Sequence, residues 1–428
     1  SNKIYDQAFE WRFEFPALLD EEGIFTGFDI IIANPPYIDS ETMVRVMPDL
    51  RNLYTGKYKT TCGNWDMFIA FIELGIILLK SNGIFCNIIP NKLVAAKYAI
   101  ELRNLLSKNN ILEVRDYSRI DVFTNAAVYP VTIILKKGER IQKSLFSIMD
   151  NIIDVRQTNY VDPNLISHQS YWDIFFVDEP VFRLILKMNE FPKLIDSNLE
   201  VLGAATVADA YEIKKMIEEQ KSEDDTGFKL INSGTIDPFQ PLWGIKACRY
   251  IKDCYMKPVV PQQKLRNYNT SRYHQSKSHK IVVASMSTRY EACLDIRGEY
   301  IAGKSTTILL GDDNDLYCVA GIVNSKLASF WLNIVFNSLK MSGGAINVGK
   351  NEIQMLPLPN PLPLWFNDIY LLIDSIMRKR ETEPYYDTSK EKTAIDLLVY
   401  HLYGLTYDEV LIVDPETPIT REEYEKEQ

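Results

Sequence analysis

The chain has 428 residues, enough for two or three domains, and its 46% hydrophobic and 24% charged residues are typical of a globular protein. No apolar run reaches the roughly 18 residues that a membrane-spanning helix requires, which predicts no membrane association. The six cysteines include no Cys-x-x-Cys pair, so we expect free thiols in a reducing compartment.

The net charge of −10 is distributed unevenly along the chain. Residues 381–428 contain thirteen acidic residues against four Lys and Arg, so the rest of the chain is close to neutral. Residues 244–304 contain twelve Lys and Arg against four acidic residues. Such asymmetry predicts a basic face for a polyphosphate ligand and an acidic tail.

An apolar, β-branched run at residues 28–33 predicts a buried strand of a parallel sheet. It is followed directly by Asn34-Pro35-Pro36-Tyr37, at the carboxyl end of the strand, where open α/β sheets bind their ligands. These residue types suit recognition of the exocyclic amino group of a flat base.

An aromatic amine is a poor nucleophile because its lone pair is delocalised into the ring. The side-chain oxygen of Asn34 and the carbonyl of Pro35 would accept hydrogen bonds from its two protons and favour a tetrahedral nitrogen. Pro35 and Pro36 fix φ and remove competing donors, and the ring of Tyr37 offers a face for the base. The alternative is a rigid turn, since Asn-Pro often opens one.

The next segments alternate between helix and strand. We expect a polar loop over residues 38–63 and a helix over residues 65–80, with Asn64 as its cap and Gly83 as its stop. The further elements predicted up to residue 136 are a strand at 84–89, a helix at about 95–107, and strands at 111–117 and 131–135. The short connection between the last two strands predicts an antiparallel pair.

From about residue 141 the pattern changes to a mixture of short strands and helices. The predicted elements are a strand at 148–155, helical stretches within 179–188 and 199–215, short strands over 228–310, an amphipathic helix at 320–338 and a mostly helical tail over 368–413.

The stretch Phe28-Asp29-Ile30-Ile31-Ile32-Ala33-Asn34-Pro35-Pro36-Tyr37 resembles the catalytic motif of amino-methylating, S-adenosylmethionine-dependent methyltransferases. Residues 9–16 are similar to what precedes that motif in adenine-specific DNA methyltransferases of type IIG restriction-modification enzymes. Residues 353–359 resemble the close of the target-recognition module in the same enzymes. The resemblance covers most of the chain.

This resemblance implies an α/β fold. The expected architecture is the C-terminal half of a class I S-adenosylmethionine-dependent methyltransferase fold, followed by a TaqI-like α+β target-recognition domain. The implied domains are a partial catalytic domain at 1–140, a DNA target-recognition domain at 141–360 and a helical extension with an acidic tail at 361–428.

The first half of that fold carries most of the cofactor pocket in the family and has no counterpart here. No Gly-rich turn with an acidic residue about 20 positions later precedes Asn34. We therefore expect a C-terminal fragment that lacks most of its S-adenosylmethionine site, has no turnover alone and leaves the strand at 28–33 with an unpaired edge. The resemblance to type IIG enzymes also implies that a fused endonuclease lies upstream.

The resemblance assigns roles to three further residues. Asp66 and Phe68 would lie near the methyl donor, although helix N-terminal charge and core packing explain them equally well. Phe123 would stack on the flipped base opposite Tyr37, since a base must leave the duplex before its amino group is methylated. Such stacking contributes roughly 1–3 kcal/mol per base. A core Phe at a strand entrance is the alternative.

Basic, aromatic and amide residues alternate over residues 264–290. Arg and Lys read guanine edges, Asn and Gln read adenine edges, and other residues hold phosphates. The expected DNA-binding residues are Lys264, Arg266, Tyr268, Arg272, Tyr273, Lys277, Lys280, Arg289 and Lys350. A mobile, solvated loop is the alternative for 264–290, and a plain turn for the segment around Lys350.

Metal and hydrolase chemistry find little support in the sequence. Cys248, Cys254, His274 and His279 fit no common zinc-ligand spacing, and we expect no metal in the chain. The histidines also lack a nucleophile partner at any recognisable spacing.

We therefore expect part of a site-specific, adenine-N6 DNA methyltransferase of a type II restriction-modification system, a cytoplasmic bacterial enzyme whose partner is duplex DNA. An RNA or protein-glutamine methyltransferase is one alternative, although such enzymes seldom carry so large a domain after the catalytic hairpin. A non-catalytic DNA specificity subunit is the other, and Asn34–Tyr37 argue against it.

Overall fold

The computed structural model describes residues 9–123, 129–222, 227–341, 343–359 and 366–426. The chain divides into two compact units, Ser1–Asp178 and Glu179–Gln428. The first unit thus continues beyond residue 140, where the sequence analysis placed a domain boundary. The boundary expected at 360 lies outside the described residues.

A six-stranded sheet forms the first unit. Its strands are β1 (Phe28–Ala33), β2 (Leu79–Pro90), β3 (Asn110–Asp116), β4 (Pro130–Lys136), β5 (Ser144–Met149) and β6 (Val155–Val161). They lie in the order β1-β2-β4-β3-β5-β6. The predicted antiparallel pairing of β3 with β4 is confirmed. The single strand predicted at 148–155 is instead the turn of the β5–β6 hairpin with the strand ends beside it.

The central strands have the alternation of apolar residues that a sheet packed on its core requires. Val131, Ile133 and Leu135 of β4 are fully buried, and so are Phe85 and Ile89 of the neighbouring β2. Because side chains two residues apart share one face of a strand, these residues form a continuous apolar surface.

Seven helices are described in the first unit. They are α1 (Trp11–Glu14), α2 (Ser40–Val46), α3 (Pro48–Lys57), α4 (Phe68–Leu78), α5 (Lys92–Ala95), α6 (Ile100–Leu106) and α7 (Pro163–His168). α2 and α3 occupy most of the segment predicted as a loop. The carboxylate of Asp39 caps α2 by accepting from the Thr42 N–H at 2.7 Å, and Pro48 opens α3.

Gly83 lies inside β2 and does not end a helix as predicted. A Cβ at this position would lie 2.8 Å from Cγ of Leu79 and 3.0 Å from the carbonyl oxygen of Asp29. The register of β1 against β2 shifts between Phe28, which pairs with Leu79, and Ile30, which pairs with Ile84. Gly83 is therefore explained by the close approach of two strands.

β1 is the outermost strand of the sheet and pairs with β2 alone among the described residues. Ile30 is 60% exposed and Ile32 is 77% exposed. The prediction of a buried strand is wrong for this edge, whereas the predicted unpaired edge is present.

The second unit contains fourteen described strands. They are β7 (Glu200–Gly203), β8 (Glu218–Glu219), β9 (Gly227–Ile231), β10 (Ile236–Asp237), β11 (Gln240–Pro241), β12 (Cys248–Tyr250), β13 (Asp253–Tyr255), β14 (Pro258–Pro261), β15 (Lys280–Ala284), β16 (Met286–Ser287), β17 (Ala292–Asp295), β18 (Tyr300–Ala302), β19 (Thr306–Leu310) and β20 (Ile346–Asn347). Two four-stranded sheets have the orders β18-β9-β14-β8 and β17-β15-β19-β7, and the remaining strands form three short pairs.

Eleven described helices accompany these sheets. They are α8 (Glu179–Asn189), α9 (Val207–Met216), α10 (Gln262–Tyr268), α11 (Thr270–Lys277), α12 (Asp313–Val323), α13 (Lys326–Val335), α14 (Lys350–Gln354), α15 (Phe366–Thr382), α16 (Ser389–Leu402), α17 (Tyr407–Val413) and α18 (Arg421–Lys426). The stretch predicted as helical at 199–215 is helical only in α9, because its first part forms β7.

The two larger sheets of the second unit pack against each other. Ile231 of β9 and Ala302 of β18 share an apolar cluster with Val282, Cys293 and Ile308 of the other sheet. The opposite face of the first sheet carries Phe228 and Leu230 and is covered by residues of α9 and α10. The described fold is thus a mixture of helices and several sheets.

The helix predicted at 320–338 is divided into α12 and α13, which meet at an angle of 65°. The first helix ends at Val323 with Asn324 as its C-cap, and Ser325 caps the second by accepting from the Ala328 N–H at 3.1 Å. No single described helix is long and apolar enough to cross a membrane, and α12 with α13 meets that criterion only as a bent pair.

Candidate active site and nucleic-acid interface

Four strands of the first unit end at the same edge of the sheet. β1, β2, β3 and β5 run in one direction, and β4 starts at the edge where they end. Asn34 follows β1, Asn91 follows β2 and Tyr117 follows β3. Segments far apart in the chain therefore meet where open sheets bind ligands.

Residues 34–37 alternate between exposed and buried positions. Asn34 and Pro36 are exposed, Pro35 is buried and Tyr37 is half-buried. No described residue hydrogen-bonds to the side chain of Asn34, so its carboxamide is available to a ligand. The end of this segment is fixed, because the carbonyl of Ile38 accepts from the Met67 N–H at 2.9 Å.

The structure brings Tyr37 and Phe123 together. Their ring centroids are 6.0 Å apart and their planes are inclined by 86°. This edge-to-face contact is a favourable arrangement of two aromatic rings, but it leaves no gap for a flat base between them. One ring must rotate before both can stack on a base.

The hydroxyl of Tyr37 is buried and has no hydrogen-bond partner among the described residues. Burial raises the pKa of Tyr37 to about 12 because the phenolate would lose its solvation. A buried hydroxyl without a partner costs about 1–3 kcal/mol. A turn with a purely structural role would gain from filling this position with Phe, so the free hydroxyl favours a binding role.

Asp66 is 6% exposed and joins three segments of the site. Its carboxylate accepts from the Ser40 N–H at 3.0 Å, from the Tyr98 hydroxyl at 2.6 Å and from Nζ of Lys92 at 3.4 Å. Burial and the Asp66 charge raise the pKa of Tyr98, which therefore stays a donor. Ser40 follows the candidate loop closely, so Asp66 holds that loop to the segments after β2.

Phe68 is fully buried, and its ring centroid lies 6.4 Å from that of Tyr98. Asp66 has donors around both carboxylate oxygens, and Phe68 has no exposed face. Among the described residues Asp66 supports the candidate loop and Phe68 belongs to the core, and their proximity to the methyl donor stays a prediction.

Glu73 was missed by the sequence analysis. It is buried in α4, and its carboxylate accepts from the N–H groups of Lys59 and Thr60 at 3.0 and 2.8 Å and from the Thr60 hydroxyl at 2.6 Å. A single acidic residue within the apolar run Phe68–Leu78 was the available clue, since a buried charge requires donors. Glu73 thereby fixes the segment that follows α3.

Two of the predicted DNA contacts are interior residues, and for these the prediction is wrong. Lys280 is 1% exposed, and its Nζ lies 2.5 Å from the carboxylate of Asp295. The guanidinium of Arg272 donates to the carbonyl of Ala302 at 2.7 Å. Burial lowers the pKa of both side chains. They stabilise the second unit from inside and cannot reach a duplex.

The other predicted residues of 264–290 lie on α10, α11 and the loop after β16. Arg266 and Lys277 lie over the ring of Tyr273, at 5.6 and 5.1 Å from its centroid. This segment therefore forms two helices and is not a mobile loop. Its two cations over one aromatic ring are a favourable cation–π arrangement.

Acidic side chains already pair with several of these residues. Lys264 lies 2.6 Å from Glu218, and the Tyr268 hydroxyl donates to Asp209 at 2.8 Å. Arg289 lies 3.1 Å from Glu291. Lys350 is exposed at the start of α14.

No group of three or more His, Cys, Asp or Glu in the described part of the chain could hold a metal ion. Cys248 is buried and Cys254 is exposed. Nδ1 of His279 lies 2.6 Å from Asp313.

The first part of the chain matches a known protein family. Residues 1–123 match the Eco57I restriction-modification methylase family. The chain is 29% identical over 177 residues to the type II restriction enzyme and methyltransferase RM.Eco57I of Escherichia coli. It is 30% identical over 125 residues to the type II methyltransferase M.TthHB8I of Thermus thermophilus.

These matches cover limited parts of both partners. The first covers 41% of this chain and 17% of the E. coli protein, and the second covers 28% of each protein. The solved structure of the type IIL restriction-modification enzyme MmeI in complex with DNA has a TM-score of 0.52 at 12% identity and covers 96% of this chain and 58% of that one. This likeness shows a shared fold.

Proposed function

We propose that the chain is the base-binding and DNA-recognising part of an adenine-N6-specific DNA methyltransferase from a type IIG restriction-modification protein. The observation that carries the proposal is the exposed Asn34 carboxamide beside the Tyr37–Phe123 ring pair at the carboxyl edge of the sheet. The match of residues 1–123 to a restriction-modification methylase family supports it.

The proposed chemistry uses hydrogen-bond acceptors and no tuned general base. Oδ1 of Asn34 and the carbonyl oxygen of Pro35 accept from the two protons of the adenine amino group. This draws the nitrogen toward a tetrahedral geometry and localises its lone pair. The nitrogen then gains the methyl group and releases one proton. Pro36 keeps the acceptors extended, and Tyr37 and Phe123 stack on the flipped base.

S-adenosylmethionine is the proposed source: its sulfonium would make the methyl group electrophilic, and the neutral thioether would leave as the carbon–sulfur bond breaks. Asp66 and Phe68 would lie near the methyl donor, while residues preceding this chain would hold most of the cofactor and cover the open edge of β1. An endonuclease domain would also precede them. The isolated chain is then expected to have no methyltransferase turnover.

The partner proposed for the second unit is duplex DNA, in the cytoplasm of a bacterium. Two other functions make different use of the same residues. An RNA or protein-glutamine methyltransferase would place a different amino or amide nitrogen between Asn34 and Pro35. A non-catalytic specificity subunit would bind DNA without using Asn34.

The test compares the intact protein with its Asn34→Ala variant, using tritiated S-adenosylmethionine and duplex DNA and identifying the methylated nucleoside. We expect N6-methyladenine from the wild type and a loss of about 10²–10³-fold in kcat in the variant, with DNA binding retained. Asn52→Ala, at an exposed Asn of α3, is the matched control and should keep full activity.

Each alternative has its own outcome in this experiment. Full methylation by the Asn34→Ala variant would support the specificity subunit and contradict the catalytic role. Label that appears in RNA or protein in place of DNA would move the proposal to the other class of methyltransferase.

A further inference from the structure

Five short segments of the second unit meet around Ser233. The Ser233 hydroxyl donates to the carbonyl of Ser305 and accepts from the Ser285 N–H at 3.0 Å. Ser233 follows β9, Ser285 follows β15 and Ser305 lies between β18 and β19. One side chain thus connects the ends of strands from the two larger sheets.

Asn232 connects a further hairpin to this point. Its Oδ1 accepts from the Ser305 N–H at 3.1 Å, and its Nδ2 donates to the carbonyl of Arg249 at 3.1 Å. Arg249 belongs to β12, the first strand of a hairpin whose turn contains Lys252. The positions of Arg249 and of the β18–β19 turn are therefore fixed by one amide.

The fifth segment directly precedes α14. The Val348 N–H donates to the carbonyl of Ser285 at 2.6 Å, and β20 pairs with β16. This places the backbone before Lys350 against the same group of segments. We call residues 232–235, 249–252, 284–288, 303–305 and 346–350 the five-loop cluster.

The charge of the five-loop cluster is entirely positive. Its exposed cations are Arg249, Lys252, Lys304 and Lys350. None of the four is in an ion pair among the described residues, and the cluster contains no Asp or Glu. In the segment 264–290, by contrast, Lys264 and Arg289 have acidic partners and Arg272 and Lys280 are buried, which leaves Arg266 and Lys277 as its exposed Lys and Arg without an acidic partner in the described part of the chain. A rigid group of polar backbone and unpaired cations requires an anionic ligand or solvent to balance its charge.

We infer that the five-loop cluster binds the phosphodiester backbone of a DNA duplex and is the main phosphate-binding surface of the second unit, ahead of α10 and α11. The inference rests on the proposed function, which gives this unit duplex DNA as its partner. Cations on separate loops can contact successive phosphates, while the hydrogen bonds of Ser233 and Asn232 fix the positions of the loops relative to one another.

The experiment measures the affinity of this chain for random-sequence duplex DNA by fluorescence anisotropy over a series of salt concentrations. The test variant is Arg249→Gln/Lys304→Gln, and the matched control is Arg266→Gln/Lys277→Gln on α10 and α11. Both remove two exposed cations without an acidic partner. Circular dichroism and urea unfolding verify that both variants remain folded.

Each lost phosphate contact lowers the magnitude of the negative slope of log K against log salt by about 0.9. We therefore expect the slope of Arg249→Gln/Lys304→Gln to fall in magnitude by about 1.8 units, and the slope of the control, whose two residues are also candidate DNA contacts, to fall by less. A wild-type slope in the test variant, or the loss of slope in the control alone, would overturn the inference. Absence of wild-type binding at low salt would instead count against the proposed function.

Discussion

At the scale of single residues, the candidate site combines an available acceptor with an unused donor. Asn34 is exposed without a partner, and the buried hydroxyl of Tyr37 also has no partner among the described residues. Asp66 has the opposite character, because three donors surround its carboxylate. The hydrogen bonds therefore distinguish residues available to a ligand from residues that support the loop. Substitutions of the first kind should affect binding, and substitutions of the second kind should affect stability.

Replacement of Phe123 by Ala should weaken the binding of a flipped base by the intact protein. Loss of one stacked face removes about 1–3 kcal/mol, or roughly 5- to 150-fold in affinity, and Phe123→Trp should retain most of it. The measurement is the fluorescence of a duplex with 2-aminopurine at the target position. Tyr160→Ala, at an exposed aromatic of β6, is the control. Unchanged base extrusion in Phe123→Ala would contradict the stacking role.

Tyr98→Phe and Tyr37→Phe should have different effects on stability. Tyr98→Phe removes a donor to Asp66 and should lower the free energy of unfolding by about 0.5–1.5 kcal/mol. Tyr37→Phe removes a buried hydroxyl that has no partner, so stability should be unchanged or should rise. Urea unfolding of this chain compares the two variants. Equal destabilisation would show that the hydroxyl of Tyr37 is bonded in solution.

At the scale of elements, the β1 edge departs furthest from an ordinary sheet. Ile30 and Ile32 belong to an apolar strand, yet both are largely exposed. The sequence pattern of β1 is typical of a strand buried on both faces. Because β1 lies at an unpaired edge of the sheet, its apolar side chains are not covered by this chain. In the proposed function, residues that precede this chain cover the strand.

Ile32→Lys should distinguish the isolated chain from the intact protein. In the chain, Ile32 is exposed, so the free energy of unfolding should change by less than about 0.5 kcal/mol. In the intact protein, the buried charge should disrupt docking and lower methylation strongly. Ile89→Lys, at a fully buried residue of β2, is the contrasting control and should unfold the chain itself. Full activity of intact Ile32→Lys would mean that this edge stays open.

At the scale of the whole molecule, the second unit contains a buried acid whose ionisation is unfavourable. Asp396 of α16 accepts from the Lys326 N–H at 2.8 Å at the start of α13. Burial raises the pKa of Asp396 to about 6, against the opposing effect of this hydrogen bond. We therefore expect the stability of this helix packing to depend on pH.

The stability contributed by Asp396 should fall as the pH rises from about 4 to 6. In this window the folded chain holds a proton that the unfolded chain has lost, so stability decreases with pH by up to about 3 kcal/mol. Asp396→Asn keeps an oxygen acceptor without the charge and should be the more stable protein at pH 7. Urea unfolding at pH 4.5 and pH 7 measures the difference. A difference independent of pH would contradict the raised pKa.

The sequence by itself determined the features that depend on neighbouring residues. The strand at Phe28–Ala33, the segment Asn34–Tyr37 after it and the β3–β4 hairpin follow from local apolar patterning and turn chemistry. Helix caps and close contacts between strands were harder to predict from the sequence. Gly83 is an example, because a glycine that lies beside another strand has the same local sequence pattern as a glycine that ends a helix.

Only the tertiary structure decided which polar residues face outward and which residues meet. Lys280 and Arg272 share their sequence pattern with surface cations, but strand and helix packing turned them inward. The contact of Tyr37 with Phe123, the donors around Asp66 and the loops around Ser233 all join segments far apart in the chain. Such contacts depend on how the strands are ordered and how the sheets pack, and no local sequence pattern encodes that order.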